Sequence, residues 1–450
     1  MTLIQNIKIV CFVLIILLGS VGCSSTENDQ PSTGNEAIEI QQILTLGGTR
    51  NESAQSVVST SDGGYAVLGY TQSMDEDILN KTNNSYDYLL LKFSADGEQQ
   101  WQKIYGGTDD DRGQDIIVTN DGGYAIIGSS KSSDNDVSAN AGYNDFWLAK
   151  LNTTGTILWE KSLGYAGADS AFSVIQTQDQ GYLLSGVLDV SASGGEGNSR
   201  INTQRHAGGD YWVIKLDTGG NLQWSRYFGG TFTDTAYDAV ETQNGNFIIV
   251  GSSDSEDIDI NNNKGSYDFW VLKVSSSGTL IWEKSYGGSE IDEARAITGT
   301  QDGNFIIVGD SRSNDVDISS NNGAADIWAI KINSDGDVLW ENSYGGSGFD
   351  GVQSIYKTQN NDFIVAGNSR SDNGYLTNNN GQNDAWLFKI NTHGTLKAQS
   401  SLGGSDIDLL MDVTELENGT IIGVGNSNSS NLDLPENKGF TDILIINASQ

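Results

Sequence analysis

Proline, cysteine and histidine are nearly missing from this chain of 450 residues, with two of each. Cys11 lies inside an N-terminal apolar run; once that run is removed only Cys23 remains, and a single cysteine forms no disulfide within the chain. The same scarcity excludes a cysteine metal site, a catalytic Cys–His pair and a histidine cluster, since His206 and His393 are the only imidazoles. Positive charge is also scarce: 24 Lys and Arg against 59 Asp and Glu give a net charge of −35. That balance excludes nucleic acid and anionic lipid surfaces as charge-driven partners and favours solubility and divalent cations. No long stretch carries a 3.6-residue apolar period, and no nucleophile elbow, phosphate loop or HExxH motif is present.

Glycine, by contrast, is abundant, with 55 residues. A Gly-Gly step recurs at Gly47-Gly48, Gly106-Gly107, Gly229-Gly230, Gly287-Gly288, Gly345-Gly346 and Gly403-Gly404, with Gly164-Tyr165 in the same place in the third unit. Successive steps are 59, 58, 65, 58, 58 and 58 residues apart. A fixed period of this size means one supersecondary unit copied seven times, each copy burying its apolar face on its neighbours.

One unit reads as four strands. Trp282–Tyr286 alternates and ends at Gly-Gly; Ala294–Thr300 follows, then a turn at Asp302-Gly303-Asn304. Phe305–Gly309 is continuously apolar, a polar loop spans Ser311–Ala325, and Ile327–Ile332 leads through Ser334-Asp335-Gly336 to Val338–Trp340. The Asp-Gly and Asn-Gly steps supply positive φ for hairpin turns. Seven such units predict an all-β fold, a seven-bladed β-propeller of four-stranded blades. A linear β-solenoid is the alternative. The last unit lacks its W-E-K-S-Y strand, whereas Ile38–Leu46 is an orphan strand of that kind. The N-terminal strand is therefore expected to close the ring, hiding edges that invite aggregation.

The N-terminus reads as a processed segment. Lys8, an apolar run from Ile9 to Leu18 and small residues before Cys23 make a secretory signal, and Cys23 followed by Ser24 and Ser25 resembles a bacterial lipoprotein site, although Ser20 stands where leucine is usual. The expected domains are a signal at 1–22, a polar tether at 23–37 and the propeller at 38–450, with lipid on Cys23 as the membrane anchor.

All ten Trp occupy two repeat positions. Trp147, Trp212, Trp270, Trp328 and Trp386 lie in W-x-x-K; Trp101, Trp159, Trp224, Trp282 and Trp340 precede Gly-Gly. Repetition at strand positions predicts inter-blade core rather than a sugar platform. Leu89, Leu444, Gln42 and Ala398 break the series near the first and last blades, so that seam is expected to be the loosest. An acid recurs five residues after the first glycine (Glu52, Asp111, Asp169, Asp234, Asp292, Asp350, Asp408) and a lysine in W-x-x-K (Lys92, Lys150, Lys215, Lys273, Lys331, Lys389). Turn capping or Asp–Lys pairing is the expected role. Equivalent acids do not make the unequal pair that acid/base chemistry needs.

The long loop carries oxygen ligands at fixed spacing: Asp134, Asp136, Asn140, Asp145; Asp257, Asp259, Asn263, Asp268; Asp315, Asp317, Asn321, Asp326; and in the last unit Asn431, Asp433, Asn437, Asp442. Two readings stand, calcium ligation and Asx turns bonded to their own backbone. No other cofactor is called for. The third unit is longer, and its loop Ser191–Gly209 holds Arg200, Arg205 and His206, an anion-binding candidate on an acidic disc or a tolerated insertion.

The elements G-G-x-x-x-D, D-G-G-Y-x-I-x-G, S-x-S-x-D-x-D and N-x-G-x-x-D-x-W-x-x-K resemble the propeller repeats of secreted and lipid-anchored proteins of Bacteroidota-type bacteria, over residues 38–447. The resemblance implies an outer-membrane lipoprotein, facing periplasm or cell surface, in a group labelled lectin-like or endoglucanase-like. The preferred expectation is a non-enzymatic binding module for a glycan or an envelope protein. A glycan hydrolase with carboxylates in the central funnel is the second reading, and a scaffold subunit of an envelope complex the third.

Overall fold

The computed structural model describes residues 36–198, 206–376 and 378–449. The signal, Cys23, nearly all of the tether, Arg200 and Arg205 lie outside them.

The described chain is a seven-bladed β-propeller. Each blade is a four-stranded antiparallel sheet. In the fifth blade the strands run from the channel outward as Asp292–Gly299, Phe305–Ser311, Asp326–Ile332 and Val338–Tyr344. The two middle strands are buried almost throughout, which explains their unbroken apolar runs, while the outermost strand is exposed or half-buried up to Tyr344. The seventh blade takes Asp408–Glu415, Ile421–Ser427 and Asp442–Ser449 from the C-terminus, and Glu39–Leu46 from the N-terminus as its outer strand. The expected closure is therefore present. Before it, Glu36–Ala37 pairs in parallel with the outer strand of the sixth blade, and Ile38 is buried between the two. The N-terminal segment thus straps two blades.

Adjacent blades pack through repeated aromatic contacts. Tyr88 meets Trp147, Phe146 meets Trp212, Tyr211 meets Trp270 and Phe269 meets Trp328, all with ring centroids 4.6–4.8 Å apart. The five W-x-x-K tryptophans are at most 2% exposed, so the core reading of that series holds. In the second series Trp224, Trp282 and Trp340 each donate Nε1–H to a turn carbonyl of the following blade, at Ser276, Ser334 and Thr392. The seam between first and last blades is not loose. Leu89 is buried there among Leu44, Leu46, Leu416, Ile443 and Ile445 together with Tyr65 and Phe93, and Leu444 is buried at the junction of the sixth and seventh blades.

Candidate functional site

The two acids of each D-x-D loop reach the Gly-Gly step of their own unit, while the following Asn and the last Asp cap the loop itself. Asp134 accepts from the backbone N–H and hydroxyl of Thr108, both at 2.9 Å, and Asp136 accepts from Gly106 N–H. Asn140 accepts from Gly142 N–H and donates to the Ser130 carbonyl, while Asp145 accepts from Ala141 N–H at 2.7 Å. Asp257, Asp259, Asn263 and Asp268 repeat this pattern, as do Asp315, Asp317, Asn321 and Asp326. These are the hydrogen bonds of Asx turns and amide caps. Among the described residues no three His, Cys, Asp or Glu side chains already converge as a metal-ligand group.

The acid after Gly-Gly is a cap as well. Asp111 accepts from Gly107 N–H at 2.7 Å and from the hydroxyls of Ser130 and Ser132. It does not pair with the W-x-x-K lysine. Lys92, Lys150, Lys215 and Lys331 reach instead the turn aspartates Asp62, Asp121, Asp179 and Asp302 of their own blades. His206 is buried beside Asp210 rather than displayed on the loop, and Asp189 caps the short helix Val190–Ser193 that the longer third unit inserts.

The copies stop being equal at the central channel. Every inner strand carries a one-residue register shift at the same place. A bulge re-aims the extra side chain. The extra residues are Gln55, Gln114, Phe172, Tyr237, Arg295, Gln353 and Met411, with no one residue type common to all seven. Six of the seven line a cavity of about 140 Å³ at one mouth of the channel. Gln114 and Phe172 border an adjoining cavity of about 270 Å³ with Arg112, Lys131 and Tyr143. Aromatics and cations gather here. Arg112 lies 4.2 Å over Tyr86, Lys131 4.4 Å over Tyr143, and Arg295 4.6 Å over Tyr237, whose ring meets Phe172 at 5.2 Å. Arg295 also donates to Glu293 and lies 3.6 Å from Asp310.

Just below the bulges the next residue is Ser56, Asp115, Ser173, Asp238, Ala296, Ser354 and Asp412 in blade order. The aspartates tie neighbouring blades together. Asp115 accepts from Val174 N–H, Asp238 from Ile297 N–H, and Asp412 from Val57 N–H, at 2.8–2.9 Å. Serines of adjacent blades donate to all three. Each carboxylate borders the channel and is half-buried. Burial pushes Asp115 up to about 7 and Asp238 to about 6, with mutual repulsion among the three adding to it, and burial raises Asp412 as well. Sequence reasoning missed this ring. The signal was an inner-strand column in which Ser and Asp alternate between copies, at Ser56, Asp115, Ser173, Asp238, Ser354 and Asp412.

No family model matches the chain. A curated relative, the regulatory protein FlaEY of Caulobacter vibrioides, is 22% identical over 436 residues, covering 86% of this chain but only 43% of its own length. The chain therefore spans less than half of that relative. Among solved structures, the WD40 β-propeller domain of Doa1 superposes with a TM-score of 0.52 at 14% identity, covering 92% of this chain and 97% of that one. The Pan2 WD40 domain of Neurospora crassa gives 0.47 at 8% identity, with 91% and 97% covered. The likeness to Doa1 shows the propeller fold and nothing about a partner.

Proposed function

We propose that this chain is a non-enzymatic binding module that receives a segment of glycan at the channel mouth. One observation carries the reading. The bulged residues are where seven near-copies diverge, and there the protein sets stacking rings, three glutamine amides and arginines around one opening. Flat aromatic faces suit sugar rings, and fixed amides and guanidinium groups suit their hydroxyls and any carboxylate they carry. The remaining proposals travel with this one: membership of the Bacteroidota-type repeat group, and lipid anchoring of Cys23 at the outer membrane. The full chain run in native gels cast with a panel of polysaccharides tests the binding. Retardation by one polymer, weakened at least tenfold in Tyr237→Ala and Arg112→Ala, supports it. Indifference to every polymer overturns the glycan reading and directs the search to an envelope protein.

A hydrolase is the second reading, because Asp115, Asp238 and Asp412 share one channel and burial holds all three above the usual carboxylate range. Their oxygens are already occupied by backbone N–H and serine donors, which favours structural duty. New reducing ends from the bound polymer, abolished by Asp115→Asn, would establish the hydrolase.

A further inference from the structure

The seven blade junctions provide internal controls for one another. At each, the aspartate that opens the W-x-x-K strand sits against the first glycine of the next unit. A Cβ placed on that glycine would fall 2.2–2.8 Å from the aspartate Oδ1 at all seven positions. That Oδ1 is buried and without a hydrogen-bond partner in Asp87, Asp145, Asp210, Asp268, Asp326, Asp384 and Asp442. A second acid, the cap that follows Gly-Gly, is within reach at every junction. Five junctions add a third, the second acid of the D-x-D loop. These clusters are Asp87/Asp111/Asp136, Asp210/Asp234/Asp259, Asp268/Asp292/Asp317, Asp384/Asp408/Asp433 and Asp442/Glu52/Asp77.

Four of the five carry a basic group supplied by the chain. Lys81 Nζ binds Asp87, His206 binds Asp210, Lys264 Nζ binds Asp317 and Lys438 Nζ binds Asp77. The fifth, between the sixth and seventh blades, has none among the described residues. Asn380 stands where Lys264, Lys438 and His206 stand, four residues before the strand aspartate. Its amide copies the contact of the two lysines, donating Nδ2–H to Asp433 Oδ2 at 3.0 Å, but brings no charge. Asp384 is 1% and Asp408 0% exposed, and repulsion from Asp408 and Asp433 adds to burial in raising Asp384, against the backbone N–H groups of Asn380 and Gly381. The two junctions with only the strand and cap acids have Gly194 and Tyr375 in the third place; Asp189 near the first of these is committed to its helix cap.

We propose that the junction of the sixth and seventh blades takes up one calcium ion from solution. The ion would take the place of the missing ammonium, held by Asp384 Oδ1 from inside and by the solvent-exposed Asp433 at the rim, with backbone oxygens or water completing its shell. Hard cations of this kind accept such mixed oxygen sets. With two direct carboxylates the dissociation constant is expected on the order of 10⁻⁴ to 10⁻³ M.

The test is isothermal titration calorimetry of the chelator-treated full chain with calcium chloride, beside its thermal midpoint at matched ionic strength. The expected result is one saturable site whose occupation raises the midpoint. Asn380→Lys, which installs the ammonium seen at sister junctions, should abolish binding and raise the midpoint without calcium. Asp433→Asn, at an exposed position, should weaken binding at least tenfold, and it decides the matter if Asn380→Lys does not fold. Absence of saturable binding overturns the proposal. So does binding that survives both substitutions, which would place calcium elsewhere, for example on the Asp134 or Asp257 loops.

Discussion

The first glycine of each Gly-Gly step has a steric explanation at the level of single atoms. On Gly287 a Cβ would fall 2.2 Å from Asp268 Oδ1 and 2.8 Å from Asp292 Oδ2. Asp292 is meanwhile fixed by Gly288 N–H and the Ser313 hydroxyl, so neither carboxylate can step aside. Gly287→Ala is expected to destabilise the protein by about 1–3 kcal/mol, the range for overpacking a filled site, as read by urea denaturation. Gly299 is the contrast, with open space around its Cβ and an ordinary strand conformation. Gly299→Ala should be neutral or slightly stabilising, because it removes freedom from the unfolded chain. The motif G-G-x-x-x-D was plain in the sequence, but its reason was not. The carboxylate that demands the glycine belongs to the preceding unit, about 19 residues upstream in Asp268 and Gly287.

Among the elements, the N-terminal strand Glu39–Leu46 contributes most beyond its own length. It covers the open edge of Asp442–Ser449 with its ladder and seats Ile43, Leu44 and Leu46 against the last and first blades. Deleting residues up to Leu46 leaves that edge unpaired, and exposed edges recruit other chains. Concentration-dependent association in light scattering, together with a lower thermal midpoint, is the expected outcome. A truncated chain that stays monomeric with an unchanged midpoint would show that closure contributes little. Strand count and closure were legible because period-2 alternation and hairpin turns are local signals. The strap Glu36–Ala37 was not, since a two-residue parallel pairing with Ala398 and Gln399 leaves no periodic trace.

For the whole molecule, buried acids govern the response to pH. Burial raises Asp87, Asp169, Asp210, Asp326 and Asp442 to about 6, and Asp234 and Asp268 to about 7, in addition to Asp115 and Asp238 in the channel. A carboxyl whose folded pKa exceeds its unfolded value binds protons more tightly when folded. Its stabilising effect is complete below the unfolded value and is lost as pH rises through the folded one. The lysine-paired turn acids Asp62, Asp121 and Asp302 act oppositely. Hydrogen bonds from Thr and Lys side chains outweigh their slight burial and lower them, so what they contribute is lost only in stronger acid. The thermal midpoint should therefore rise as pH falls from about 8 to about 5 and decline again below about 4. The net charge of −35 adds self-repulsion that weakens over the same interval. A midpoint highest at pH 8, measured in the presence of chelator, would contradict this.

By itself the sequence determined the repeat, the number of blades, the four strands of each, and the closing role of Ile38–Leu46, because all of these rest on local periodicity and turn chemistry. It also determined that W-x-x-K tryptophans are core. Only the tertiary structure decided which carboxylates meet. Asp115, Asp238 and Asp412 lie 123 and 174 residues apart in the chain, yet share one channel once the ring closes. Asp384, Asp408 and Asp433 come from two blades and three elements. Charge clusters form across blade boundaries, where sequence distance carries no information, and their energies depend on burial that exists only after the blades have packed.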